Sequence, residues 1–329
     1  MINFRYHVVS LTAVFLALAV GLVLGSTVLN GPMMDALENR VNSLGRDNRQ
    51  LREHVGFLES QIDREQDFAA EAAPMLLAGT LTGKRVLLLV LPDGQEYVSG
   101  VSEALTLADA TITGTVLITD KFTHPQHRLT ELLDLAHQAV PDSVDSNQLP
   151  ANSDGVETSA ALLARVIFDS TAAVPDPTPD QAGEQLDEAQ GGVPQEERQE
   201  VLSAYAAMEY VAFDEPVSGA ADVVVVVAGL PNSQSDANQR NEAMLTTVSQ
   251  FSRIGPVVVA ASGVAGEGNL VAEVRKDPTL SEHISTVDNA STPQGQTAAG
   301  LAVKQRLDGQ VGHYGTGNGA ERLLPTPSS

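Results

Sequence analysis

The sequence predicts an α/β protein in three parts: an N-terminal transmembrane helix, a coiled-coil rod and a mainly parallel α/β head. Three observations predict it. An uncharged apolar run lies near the N-terminus, apolar residues then recur at alternating spacings of three and four, and later apolar runs alternate with helical patterns. The expected parts are a cytoplasmic N-terminus at 1–7, a transmembrane helix at 8–29, a coiled coil at 32–73 and an extracytoplasmic α/β domain at 80–329.

The uncharged run at 8–29 is long enough to cross a bilayer, because its residues span roughly 33 Å as a helix. Arg5 and His7 precede it without an acid, whereas Asp35 and Glu38 follow it. The positive-inside rule then predicts a single-pass signal anchor in the cell membrane, with the N-terminus in the cytoplasm and the bulk of the chain outside. A cleaved signal peptide is the alternative, although the run exceeds the usual apolar length and lacks a small-residue cleavage site.

The rod is predicted from a heptad pattern that keeps its register over four repeats. Its seam consists of Leu37, Val41, Leu44, Asn48, Leu51, Val55, Leu58 and Ile62. Asn48 falls at an a position, where a buried Asn fixes register and favours two strands. The expected partner is a second copy or another coiled-coil protein; a single amphipathic helix packed on the head is the alternative.

Composition excludes several classes of function. The net charge is −23, and most of it lies after residue 80, where 13 basic residues face 33 acidic ones. Such an acidic head would be repelled by nucleic acid and by anionic lipid. The chain has no Cys, which excludes disulfides, thiolate metal sites and Cys nucleophiles.

The head is predicted from alternating strand and helix patterns, which favour a mainly parallel sheet. Continuous apolar runs, typical of strands buried on both faces, and strand-like stretches occur at 84–91, 111–119, 222–228, 256–261 and 284–287. Helices are expected after the first strand to about 109, and at 125–140, 156–170, 204–211, 236–253 and 292–309. The acidic, proline-rich segment 171–200 is expected to be flexible, and the tail at 312–329 to lie over the surface.

Two groups of polar residues are candidate sites in the head. His124 and His127 share a helix face and could hold a metal, although surface histidines are the plainer interpretation. Asp93, Asp288 and Asn289 follow predicted strands, at the edge where open α/β sheets bind ligands. Capping of the next helix is the alternative for the residues at 288 and 289.

No catalytic motif is found. Gly263, Gly266 and Gly268 could cradle an anion or simply form a turn, and their order is not that of a dinucleotide-binding loop. Ser262 lacks the G-x-S-x-G context of a hydrolase. We therefore expect a non-enzymatic protein that presents surfaces to a partner.

The opening Met-Ile-Asn-Phe-Arg-Tyr-His-Val-Val-Ser-Leu resembles the start of the actinobacterial MctB family, usually called copper transporters. Further matches are Leu-Leu-Leu-Val-Leu-Pro at 87–92, Ser-Thr-Val-Asp-Asn at 285–289 and Gly-His-Tyr-Gly at 312–315. The resemblance implies copper transport or homeostasis at the cell envelope, with copper as the implied metal. It also extends to SteB-like envelope proteins, which implies binding of a partner membrane protein and an influence on cell-wall remodelling during division.

Overall fold

The computed structural model describes residues 4–125, 130–150, 154–168, 192–230, 236–262 and 268–326, with the backbone alone at 26–33. The chain divides into two compact units, residues 1–65 and residues 66–329. Helix α1, Phe4–Leu77, provides all the described part of the first unit and also begins the second. Because it is one helix, the predicted helical spans at 8–29 and 32–73 are confirmed as helix.

Within the first unit, the described part of the predicted membrane span and the predicted seam are both exposed. By length and composition, Phe4–Gly25 could cross a membrane, and none of that stretch is buried. The apolar seam residues are also uncovered, from 47% exposure at Leu58 to 63% at Leu51. The pairing of the rod stays a prediction, because one chain contains only one of its helices.

Helix α1 continues past Pro74, where the sequence led us to end it. Its last turn belongs to the second unit, and there Ala73 and Leu77 are buried in the core. This burial offsets the hydrogen bond that a proline removes from a helix. The helix ends before Gly79, whose φ of +74° is readily adopted only by glycine.

The predicted mainly parallel sheet is confirmed. It has seven described strands in the order β3-β2-β1-β4-β5-β6-β7, all neighbours being parallel except β2 and β3. The strands are β1 Arg85–Val90, β2 Thr111–Ile118, β3 Val211–Ala212, β4 Val223–Ala228, β5 Val257–Ala261, β6 Ile284–Val287 and β7 His313–Tyr314. The central strands read as unbroken apolar runs because helices cover both faces of the sheet.

The helices form a layer on each face. They are α2 Val98–Leu107, α3 Asp120–Thr123, α4 Glu131–Gln138, α5 Gly155–Ile167, α6 Gln195–Ala207, α7 Ala237–Ile254, α8 Leu270–Lys276, α9 Pro278–Ser281 and α10 Pro293–Leu307. Short 3-10 helices lie at Pro92–Tyr97 and Ser146–Gln148. Alternate residues of β1 point to opposite faces, so Leu87 and Leu89 join the core under α5 and α7, whereas Val86 and Leu88 join the core under α2 and α10.

The expectation of a flexible segment up to residue 200 is wrong for its last residues. Helix α6 starts at Gln195 rather than near 204, and the strand β3 occupies 211–212. The buried Arg198 donates to the carbonyl of Val166 at 2.8 Å and to that of Val193 at 2.9 Å. These bonds anchor a helix whose acidic residues Glu196 and Glu200 face solvent. Residues 171–191 lie outside the described part of the chain, so their flexibility stays a prediction.

Two further expectations need correction. The tail contributes β7 to the sheet edge, where Tyr314 is buried, so it does not simply cover the surface. The helix expected at 125–140 is α4, which starts at Glu131, while residues 126–129 are outside the described ranges. The short helices α8 and α9 follow the glycine loop and were missed, because each has too few residues to show a helical period.

Candidate functional site

The order of the strands reverses between β1 and β4, which is the usual place for a ligand in an open α/β sheet. The helix after β1 packs on one face of the sheet and the helix after β4 packs on the other. Here, however, the turn after β1 fills the space between the two strand ends. A Cβ added at Gly94 would lie 2.2 Å from the carbonyl oxygen of Val227, and one at Gly229 would lie 1.7 Å from that of Asp93. The two glycines therefore allow backbone to occupy the crevice itself.

Beside this crevice lies an acidic cluster of Asp93, Asp120 and Asp236, which the guanidinium of Arg240 links. Arg240 Nη1 contacts Asp120 at 2.8 Å and Arg240 Nε contacts Asp236 at 2.8 Å. Burial, followed by the charge of Asp120, raises the pKa of Asp93, while the hydrogen bond from Arg240 lowers the pKa of Asp236. Arg240 thus neutralises part of the negative charge of these three aspartates, a cluster that the sequence motifs did not reveal.

The candidate histidine pair is only half described. His124 follows α3 with an extended backbone and is partly buried, and its charge contributes to the low pKa of Asp236. His127 lies outside the described residues. Within the described ranges, no three His, Asp or Glu side chains come close enough together to hold a metal ion.

Asp93 and Asp288 do not meet at one pocket. Strands β4 and β5 separate β1 from β6, which places the two backbones about 14 Å apart at the usual strand spacing. Asn289 instead helps to start α10. Its Nδ2 donates to Thr292 Oγ1 at 3.3 Å, and Thr292 caps the helix by accepting from the N–H of Gly295.

Asp288 belongs to a buried group that we call the Arg275 cluster, formed by Arg275, Thr286, Asp288, His313 and Tyr314. Arg275 Nη1 donates to Asp288 Oδ2 at 2.7 Å, Arg275 Nε to Thr286 Oγ1 at 2.9 Å, and Arg275 Nη2 to the carbonyl of Tyr314 at 2.8 Å. The Asp288 carboxylate also accepts from the N–H groups of Thr316 and Gly317. The cluster therefore fastens the C-terminal tail to β6.

The Arg275 cluster brings together two of the segments singled out in the sequence, 285–289 and 312–315. Gly315 has a φ of +127°, and a Cβ there would lie 2.0 Å from Asp288 Oδ1. The glycine is thus needed for the tail to approach the buried carboxylate. The sequence offered no signal for Arg275, which lies on a helix that we did not predict.

We expect His313 to make the stability of the Arg275 cluster depend on pH. Its Nδ1 lies 2.9 Å from Thr286 Oγ1, and burial, with help from the nearby Arg275 charge, lowers the pKa of His313, although Glu321 acts in the opposite direction. Because the unfolded chain binds the proton more readily, stability is expected to fall as pH drops below about 6.5 towards the folded-state pKa.

Urea unfolding of the wild type and of His313→Gln between pH 7.5 and pH 5 checks this prediction. The wild type should lose stability over that interval, and the variant, which cannot take up the proton, should lose less. Equal pH slopes in the two proteins would show that His313 is not the group responsible.

Among the residues that the structure describes, the glycine loop and the cavity do not bring catalytic side chains together. Residues 263–267 of the glycine loop lie outside the described chain; Ser262 is buried at the end of β5 and Gly268 has a φ of +79°. A cavity of about 280 Å³ opens beside α2 and the β3 edge. It is lined by Val90, Gln95, Val98, Thr115, Leu117, Ala212, Phe213 and Asp214, a mixed surface without converging charges.

Comparison with known proteins gives a consistent result over the whole chain. The family described as "Copper transport outer membrane protein, MctB" matches residues 1–325. A protein named Copper transporter MctB from Mycobacterium tuberculosis is 28% identical over 337 residues, which cover 97% of this chain and 98% of that protein. The protein of the same name from Mycobacterium leprae is 27% identical over 343 residues, with 98% and 99% coverage.

Proposed function

Because this chain belongs to the MctB family, we propose that it acts in copper transport or copper homeostasis as a membrane-associated protein. The observation that carries the proposal is the family match along the whole chain, from the apolar helix to the tail. Relatives that carry the name copper transporter align over nearly their full length, so the shared parts include both units of the fold.

We further propose that the chain is a single-pass signal anchor whose rod and head lie outside the cytoplasm. The apolar stretch at the start of α1 has the length and composition of a membrane span, and Arg5 on its N-terminal side supports a cytoplasmic N-terminus. A signal sequence would have the same composition, and recovery of the intact chain in the membrane fraction separates the two.

The head contributes to copper handling without acting as an enzyme in this proposal. Among the described residues, no group of three metal-ligating side chains is assembled. The Thr286 hydroxyl beside His313 is fully buried within the Arg275 cluster. We therefore derive no chemical step on copper, and we assign the head a role in binding other envelope components.

Deletion of the gene should raise cellular copper, since the proposed function is export or homeostasis. Metal analysis of cells grown with added copper measures this, and the full-length chain should restore the original level. A variant with both His124→Ala and His127→Ala should restore it as well if these histidines are surface residues. Unchanged copper in the deletion strain would contradict the proposed function.

A second candidate function is an envelope scaffold that binds a partner membrane protein through its rod and influences cell-wall remodelling. The exposed apolar seam on α1 supports it, because seven large apolar side chains stand uncovered along one face of the helix. Exposed apolar stripes of this kind are typical of protein interfaces.

A further inference from the structure

We propose that the rod pairs with a second copy of this chain, in parallel and in register. The inference deepens the coiled-coil rod of the proposed function and rests on it, since it names the partner. Its starting point is the exposed seam on α1, which needs a matching apolar stripe to cover it.

Asn48 supports a parallel pair. In a parallel pair in register, Asn48 meets Asn48 of the second copy, and the two amides can bond to each other inside the apolar seam. In an antiparallel pair whose two seams overlap over their full length, Leu37 faces Ile62 of the second copy and Asn48 faces Leu51 of the second copy. That arrangement buries a polar amide against an apolar side chain, which costs free energy.

The charges beside the seam support the same arrangement. With Asn48 at an a position, Asp47 and His54 fall at g positions, and Arg52 and Glu59 fall at e positions; all four are exposed on α1. In a parallel pair each g residue faces the e residue five places later in the partner, and such pairs set orientation and partner choice.

This geometry brings Asp47 to Arg52 of the second copy and His54 to Glu59 of the second copy. Asp47 and Arg52 carry opposite charges, and the His54 imidazole can donate a hydrogen bond to the Glu59 carboxylate. Each pair occurs twice in the dimer. The opposite orientation instead places Glu38 beside Glu59 of the second copy, which is a repulsive pair, and leaves Asp47 beside His54 of the second copy as its one complementary contact. Charge complementarity therefore favours a parallel homodimer over an antiparallel one.

Cysteine cross-linking of the full-length chain in membranes tests the orientation. The chain has no Cys, so each introduced thiol is the only one per copy. Leu37→Cys should cross-link to itself under mild oxidation, because a parallel pair brings the two positions within disulfide distance. Cross-links that form only between co-expressed Leu37→Cys and Ile62→Cys chains would show an antiparallel pair and overturn the proposal. No cross-link in either experiment would mean that the seam binds a different protein, and would also overturn it.

A charge exchange in the Leu37→Cys background tests the pairing itself. Arg52→Glu places two acids opposite each other at two sites and should weaken self-association about tenfold. Adding Asp47→Arg to the same chain restores opposite charges and should restore the cross-linked yield. Arg46→Glu makes the same change of charge at the outward f position and should leave the yield unchanged. An equal loss with Arg46→Glu, or no recovery in the double variant, would contradict the pairing.

The outcomes separate this inference from the proposed function. Cross-linking with unchanged cellular copper in the deletion strain would leave the homodimer standing and remove the copper role. Raised copper in the deletion strain without any self-cross-linking would support the copper role and rule out the homodimer.

Discussion

Replacement of Asp288 by Ala should lower the free energy of unfolding by about 3–5 kcal/mol, which is the usual cost of removing one partner from a buried ion pair. The Asp288 and Arg275 side chains are 0% and 5% exposed, so the change leaves an uncompensated cation inside the protein. It also leaves the N–H groups of Thr316 and Gly317 without the acceptor that holds the tail.

Denaturant unfolding followed by tyrosine fluorescence measures this loss, because the chain has five Tyr and no Trp. Asp288→Asn keeps the shape and part of the acceptor capacity, so its loss should be smaller than that of the Ala variant. Asp308→Ala serves as the control, since the Lys304–Asp308 pair is about one-third exposed and should contribute less than about 1 kcal/mol. Similar losses for Asp288→Ala and Asp308→Ala would show that the Arg275 cluster does not hold the tail.

Leu51→Asp combined with Leu58→Asp should abolish pairing of the rod, whichever protein lies on the other side. Each Leu contributes about 1.5–3 kcal/mol when it is fully buried, and the variant would place a charge in the seam instead. The total exceeds 3 kcal/mol, which corresponds to a loss of affinity of more than about a hundredfold.

Pull-down of the partner with the tagged full-length chain measures this effect, and membrane fractionation confirms that the variant is still inserted. Glu53→Lys and Ser60→Lys form a matched control, because both lie on the same stretch of α1 at f positions, away from the seam. Retention of the partner by the Leu51→Asp, Leu58→Asp chain would contradict the scaffold function and the paired rod together.

The strands of the head could be predicted from the sequence because each central strand is apolar on both faces. The predicted runs 84–91 and 222–228 have this property, and their bounds agree with β1 and β4 within one residue. The edge strands β3 and β7 could not be predicted in the same way. Each has two residues, and pairing with a neighbour, rather than composition, makes it a strand.

The candidate ligand pocket shows why site residues are harder to predict than strands. Asp93 and Asp288 both follow buried strands, and this similarity suggested one site. The order of the sheet is set by long-range pairing and separates the two residues by two strands. Asp288 instead contacts Arg275, which lies on a helix that the sequence did not predict, and the C-terminal tail, which is distant in the sequence.

The sequence alone determined the apolar N-terminal helix, the heptad spacing of apolar residues along it and the parallel α/β class, because each depends on periodicity within a short stretch of chain. It also carried the family resemblance that the comparisons confirm. Only the tertiary structure decided that the tail joins the sheet, that Arg198 anchors the start of α6 and that Asp288 is a buried partner of Arg275. Those results depend on contacts between distant segments, whose burial and hydrogen bonds outweigh local composition.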